Sequence, residues 1–423
     1  MLGNMVEWNE RSREGDNIMS NKKNQPLKLK GRTVLLLVVV GVTFISGSRT
    51  NLVNDPLLDD HRVGTANPAA VYCQEMGYEH KIVTDHSGSQ HGICCFPGNC
   101  SADNKEPCTS WDFLKGKCGQ EYSYCAKEGY DIETLSDGKD PFSSEYAVCV
   151  SKETRQKVGS VTKLMNLTEK SVKGTNVLEE SRKSDKEIVP RQNLNTTLPD
   201  SFDWRSYNGS DWTTSVKDQG NCGACWSFSA VGTSEAAYSI GINNPDYNLN
   251  LAEQYLVSDC HTDPYNSPPL YQNCLGGYKG SALEYIRDSG VPDESCMPFV
   301  DGTGCTYSGS TCLSTCTYRT GGNCSDRTCS DRCSDWASRL TQIDTVGTVA
   351  GNQTAIKEYL IEKGPLAISF KIDDDWGWWD GDVYRCLIET GSTNHAVVVT
   401  GYDDAGGYWI IKNGWGNLGV IDP

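Results

Sequence analysis

The sequence predicts a chain of the α+β class preceded by a small disulfide-rich module, on three observations. A helical stretch, NQTAIKEYLIEKGP (352–365), runs directly into an apolar strand-like segment, PLAISFKI. Two further β-branched and aromatic runs, HAVVVTGYD and YWIIKNGWG, follow it. Twenty cysteines are spread unevenly over 423 residues, which divides the chain into a cysteine cluster, a cysteine-free stretch and a larger region. Segregated helices and strands of this kind pack as α+β rather than as an alternating parallel sheet.

At the amino end, Lys22, Lys23, Lys28, Lys30 and Arg32 precede the apolar run TVLLLVVVGVTFI (33–45). That run is shorter than the about 20 residues a spanning helix needs, and a basic stretch before it fits a signal peptide. Residues 1–48 are therefore read as a leader cleaved after Ser48, with an uncleaved anchor as the alternative, and a secreted protein is expected. The cysteine count agrees, because such density belongs to an oxidising compartment. Residues 49–65 read as a linker. A net charge of −17 excludes nucleic acid as the main partner, since phosphate backbones attract basic surfaces. A membrane partner is expected only if the leader stays attached, and no cofactor is called for. The chain is expected to be a monomer.

Cys73, Cys94, Cys95, Cys100, Cys108, Cys118, Cys125 and Cys149 define a first module over residues 66–150. The charged, cysteine-free residues 151–198 read as a linker or propeptide with a short helix around SVTKLMNL. The domain that follows spans 199–423.

Its first motif, DQGNCGACWSFSA (218–230), contains a C-x-x-C that has three readings. A redox dithiol would carry an aromatic just before the pair, whereas Trp226 comes after it. A zinc site needs a second pair, and no other C-x-x-C occurs in the chain. The third reading is a nucleophile beside a structural cysteine, which requires a base. His261 and His395 are the two histidines from residue 199 onward. His261 lies in a Pro-rich loop and reads as a surface residue. His395 opens an apolar, β-branched run and is held at the mouth of a buried strand. Asn413 ends the next strand, where its amide can accept the imidazole N–H and fix the tautomer.

Cys-Gly-Ala-Cys-Trp is a known signature of papain-like proteases. The Cys225 to His395 spacing exceeds the family's about 130 to 150 residues by the length of a cysteine-rich insertion, 305–339. LPDSFDWRS, VKDQGNCGACWSFSA, LAEQYLVSDC, CLGGYKG, NHAVVVTGY and YWIIKNGWG also follow the family's order, so residues 199–423 resemble the papain-like cysteine peptidases. The resemblance implies a two-lobed fold, one half helical and one of antiparallel strands, with a cleft between them.

The resemblance also implies roles. Cys225 would be the nucleophile at the start of a helix whose Trp226, Ala230 and Ala237 face inward, with its thiolate favoured by the helix terminus and by protonated His395. Asn413 would orient His395, and Gln219 would stabilise the oxyanion. Gly276 and Gly277 would form the wall along which a peptide substrate lies, with Asn394 and Trp415 also lining the cleft, and Trp415 as a lid over the His395 to Asn413 bond. The family pattern would pair Cys222 with Cys274; Cys260 and Cys305 are further disulfide candidates, and no metal site is expected.

NPAAVYC, GICCFPGNC and CTSWDFLKGKCG in the first module resemble DUF333, a haemolysin-like domain, for which binding, tethering or plain stabilisation are the readings. Relative to the family pattern the sequence after NGWGN is short, so an open sheet edge is expected there. Three functions stay open: a secreted endopeptidase, an impaired papain-like binding protein, and an acyl transferase using the same thioester.

Overall fold

The computed structural model describes residues 4–7, 37–39, 62–97, 107–173, 197–261, 272–300, 307–308, 311–312, 327–349, 351–372, 377–380, 383–386 and 393–416. The region from residue 197 has a helical half and a sheet half. The helical half is built on Cys225–Gly241, flanked by Glu253–Val257 and Lys279–Asp288. The first of these helices is buried along nearly its whole length, because nearly all its residues are small or apolar, among them Trp226, Ala230, Val231, Gly232, Ala236 and Ala237, with Glu235 as the charged exception. A helix of this composition belongs in a core.

The sheet half centres on His395–Asp403, an almost continuously buried strand. Leu366–Phe370 pairs with its first half, placing Phe370 opposite His395. Tyr408–Lys412 pairs along its other edge, with a register shift between Val399 and Gly401. Gln353–Lys363 packs beside this sheet, its start capped by the Asn352 side chain accepting from Ala355 N–H and its end marked by Gly364 at φ 114°. Ile356 and Leu360 of that helix are buried.

Two short strands from the expected leader also lie in this sheet. Leu37–Val39 pairs with Val346–Thr348 and with Ala367. Asn4–Glu7 pairs with Tyr408–Lys412, so the edge expected to be open is covered by backbone from the other end of the chain. Among the described residues no helix is long and apolar enough to cross a membrane.

The amino-terminal module is continuous with residues that the sequence assigns to the following linker. Lys157–Ser160 joins Asp131–Leu135 and Tyr146–Val150 in one antiparallel sheet, and the short helices Val161–Leu164 and Leu167–Ser171 follow. An aromatic cluster fills the interior. Tyr72 lies 4.7 Å from Phe113, and Phe96 lies 4.7 Å from both Phe113 and Tyr122. Disulfides Cys73–Cys94, Cys108–Cys118 and Cys125–Cys149 staple it. In the larger region Cys222 bonds Cys274, Cys260 bonds Cys329 and Cys296 bonds Cys333. Cys305 lies outside the described residues. These bridges fit an oxidising compartment.

The module does not hang free. Trp111 donates its indole N–H to the Trp415 carbonyl at 3.1 Å, and Phe142 meets the Trp415 ring edge-on at 6.0 Å. Phe113→Ala removes the ring at the centre of the module, and a loss of about 3 to 5 kcal/mol is expected. Urea unfolding followed by fluorescence will show this as an earlier transition; an unchanged midpoint would mean that Phe113 does not carry the module's packing.

Candidate active site

Cys225 begins its helix at the junction of the two halves. It is fully buried and is the free cysteine among the described residues. The bridge from neighbouring Cys222 to Cys274 fixes the loop before it, and Gly223 N–H donates to the Cys274 carbonyl at 2.8 Å. The C-x-x-C is thus one structural cysteine beside one thiol.

The sheet half brings the other partners. His395 Nε2 lies 2.8 Å from Asn413 Oδ1, and that oxygen also accepts the Gly414 N–H at 2.8 Å. An amide oxygen held this way makes Nε2 the protonated nitrogen, leaving Nδ1 with a lone pair and no hydrogen-bond partner among the described residues. Trp415 covers the ring at 4.5 Å between centroids, and Phe370 meets it edge-on at 5.5 Å. The backbone N–H of Ala396, next to His395, hydrogen-bonds the Cys225 sulfur, which places the histidine strand against the thiol. Gln219 arrives from the loop before the helix; its own N–H donates to the Gly414 carbonyl at 2.9 Å, tying it to the asparagine strand.

The opposite wall is Gly276 and Gly277. Gly276 sits at φ 116°, which a side chain rarely adopts. A Cβ at Gly277 would lie 2.5 Å from the Trp226 ring, so the nucleophile helix itself requires a glycine there.

Asn394 meets the cleft through its backbone carbonyl, while its side chain is bonded to Ile372, Oδ1 accepting from the N–H at 2.8 Å and Nδ2 donating to the carbonyl at 2.7 Å. One expectation needs correction. His261 is buried, not superficial, because its ring stacks on Trp226 and meets the edge of Tyr285.

The cleft is also covered, by a segment that the sequence assigns to a linker. Val63 pairs with Gly277 through two backbone hydrogen bonds of 3.0 Å. Thr65 N–H donates to the Cys225 sulfur at 3.4 Å, and its hydroxyl donates to the Asn394 carbonyl at 2.6 Å. Gln219 Nε2 donates to the Thr65 carbonyl at 2.8 Å. No side-chain motif announces this strap, whose contacts run mostly through backbone, and only the family wall Gly276–Gly277 could have hinted at where a peptide lies.

Covering the cleft changes its acid–base state. Burial pushes the Cys225 thiol up to about 11, against the partial offset of hydrogen bonds from Thr65, Ala396 and Trp226. Burial pushes His395 down to about 4, although its bond to Asn413 opposes the shift. The family resemblance implies a thiolate beside an imidazolium; in the covered state both groups are neutral at pH 7, because burial removes the solvation that the charges would need.

Residues 198–419 match the model of the papain family of cysteine proteases, and residues 64–117 match a domain of unknown function, DUF333. The chain belongs to the papain family. This papain-family chain is 30% identical over 259 residues to a cathepsin L-like proteinase of Fasciola hepatica, covering 59% of this chain and 67% of that protein. It is 31% identical over 240 residues to cathepsin S of Mus musculus, covering 56% and 60%. Among solved structures it is similar to digestive procathepsin L 3 of Tenebrio molitor larval midgut, with a TM-score of 0.41, 25% identity, and coverage of 59% and 68%. The chain spans about two thirds or less of the length of these curated relatives.

The covered state has a measurable pH signature. Because His395 titrates near 4 when folded and near 6.5 when unfolded, the unfolded chain binds the extra proton between those values. Stability is then full above pH 6.5 and is lost as the pH falls toward 4, by at most about 3 kcal/mol. Unfolding free energies of Cys225→Ala and of Cys225→Ala with His395→Gln, measured from pH 4 to 7, should diverge in this window; parallel curves would show that His395 is not buried neutral.

Proposed function

We propose that this protein is an exported cysteine peptidase that hydrolyses peptide bonds through Cys225, His395, Asn413 and Gln219. The observation that carries the reading is the meeting of a buried free thiol, a histidine oriented by an amide and a side-chain amide donor beside a glycine-lined wall. When the strap leaves, water and a substrate replace it, the burial that keeps the pair neutral is relieved, and the positive end of the Cys225–Gly241 helix favours the thiolate. His395 takes the thiol proton at Nδ1, while Asn413 holds Nε2 and keeps the ring aimed. The thiolate attacks the carbonyl carbon of a peptide, and Gln219 Nε2, which already holds a carbonyl oxygen at 2.8 Å, stabilises the oxyanion. The imidazolium protonates the leaving amine and water hydrolyses the thioester.

Export is supported by the disulfides and by the basic and apolar run before residue 48. The substrate is a peptide in extended form, because Val63 occupies the wall by strand pairing and any peptide backbone can do the same.

An epoxysuccinyl peptide inhibitor should add one equivalent to Cys225 once the strap has been displaced, and His395→Ala should suppress the adduct. Gln219→Ala should lower kcat/KM by about 100 to 1,000-fold with little change in labelling at saturating inhibitor. Labelling that ignores His395 would sink the activated-thiol reading. Product analysis with an added amine separates hydrolysis from acyl transfer.

A further inference from the structure

The strap and the body of the module hold on at different places. Strap residues meet the wall, the sulfur and the module's own far end: Val63 exchanges two hydrogen bonds with Gly277, the Arg62 guanidinium donates to the Gly276 carbonyl at 3.2 Å, and the Gly64 carbonyl accepts the Lys173 N–H at 2.6 Å. The body lies against residues 215–218 and Trp415. Gln90 N–H donates to the Val216 carbonyl at 2.7 Å, Asp218 N–H donates to Gln90 Oε1 at 3.0 Å, and the Ser215 hydroxyl donates to the Ser87 carbonyl at 2.8 Å.

The grip of the body falls on the residue that covers His395. On either side of Trp415 the backbone bonds to the Gln219 loop: the Gly414 carbonyl accepts the Gln219 N–H at 2.9 Å and Gly416 N–H donates to the Lys217 carbonyl at 3.0 Å. The Trp415 carbonyl itself accepts from the module, from Trp111 Nε1 at 3.1 Å and from Asn67 Nδ2 at 3.1 Å. Its ring lies 4.5 Å from His395, 6.0 Å from Phe142 and 6.2 Å from Trp111. The indole N–H of Trp415 has no hydrogen-bond partner among the described residues, so the carbonyl bonds and the ring contacts set where the indole lies. Trp111 and Phe142 are each 1% exposed and Trp415 is 3% exposed, which leaves no room for water at this contact.

The two sets of contacts respond differently to an incoming substrate. The strap is held mostly by backbone hydrogen bonds, which another peptide backbone or water replaces one for one. The contact of Trp111 and Phe142 with Trp415 is buried aromatic surface, for which neither is a substitute. We propose that the module stays docked when the strap leaves and is a working part of the site, with Trp111 and Phe142 as positioning residues that hold Trp415 over His395. This rests on the peptidase reading of Cys225. With the indole held, the His395 to Asn413 hydrogen bond is shielded from water and the ring keeps its aim at the thiol. With the indole loose, water competes for Asn413 Oδ1 and the imidazole loses its orientation.

The test uses the full-length chain with Gly64→Ala as the parent, because a Cβ on residue 64 would lie 2.7 Å from Gly276 Cα and keeps the strap from seating. Hydrogen–deuterium exchange read by mass should show residues 62–66 losing protection relative to wild type, while residues 110–114 and 408–415 keep theirs. Trp111→Phe retains a ring but loses the N–H donor, and should lower the parent's kcat for a fluorogenic peptide about three- to tenfold with KM little changed. Phe142→Leu should act in the same direction, and carries the comparison if Trp111→Phe fails to fold. In a Trp415→Ala background neither substitution should lower kcat further, because both act through Trp415. Protection lost together in all three segments, kcat unchanged by both substitutions, or equal losses of kcat in both backgrounds would overturn the proposal while leaving the peptidase standing. Absence of both hydrolysis and Cys225 labelling in every form would sink the peptidase reading, and with it the role of the two aromatics.

Discussion

The geometry of the cleft depends on a buried ionic knot beneath it. Lys217, two residues before Gln219, places its ammonium 2.8 Å from Glu235 and 2.8 Å from Glu253, and donates to the Leu251 carbonyl at 3.1 Å. Glu235 lies in the nucleophile helix and accepts from the Thr214 hydroxyl at 2.5 Å, while Lys412, the neighbour of Asn413, donates to that same hydroxyl at 2.8 Å and to the Thr214 carbonyl at 2.6 Å. One network therefore joins the Gln219 loop, the Cys225 helix and the Asn413 strand. Burial alone would lower the Lys217 pKa, but Glu235 and Glu253 hold it above the ordinary lysine range. Lys412, with less compensation, is pushed down to about 8 by burial. Breaking such a network strands charges in the interior, and that penalty makes the spacing between the halves rigid.

The sequence was most informative where side chains do the work. Cys225, His395, Asn413 and Gln219 belong to a recognisable pattern of apolar runs and a short motif, and the structure brings them to one junction. The helix Gln353–Lys363 and the strands on either side of His395 follow directly from capping residues and β-branched runs. The sequence was least informative where backbone does the work. Val63, Gly64 and Lys173 act through backbone N–H and carbonyl groups that all residue types but proline carry, so no composition or spacing marks them. His261 escapes a sequence reading for a related reason: its loop looks polar, but the Trp226 face that receives its ring comes from another part of the chain. The ionic knot is equally invisible, since Lys217, Glu235 and Glu253 read as ordinary solvated charges until the fold buries them.

The nucleophile's protonation state is a property of the cover and not only of the pair. The thiol and imidazole sit among Trp226, Trp415 and Phe370, and with the strap seated they are too deeply buried for an ion pair to be solvated. Within one fold the same four side chains thus have two electrostatic settings, selected by whether a backbone segment or solvent occupies the wall. The module that carries the strap is fixed to the β half through Trp111, Phe142 and Trp415, so the residue that lids His395 is also the one that anchors the cover.

Both ends of the module meet at the cleft: the strap enters it at Val63, and the chain returns to it at Lys173. The covalent connection to the peptidase region then runs through residues 174–196, which precede the Leu198-Pro199 start of that region. A cut in this connector changes the molecularity of the cover. A tethered occupant works at an effective concentration on the order of millimolar for a short flexible linker, whereas a severed one is held only by its own affinity. After such a cut, dilution becomes a physical variable that sets how much of the cleft is free, with no further chemistry needed.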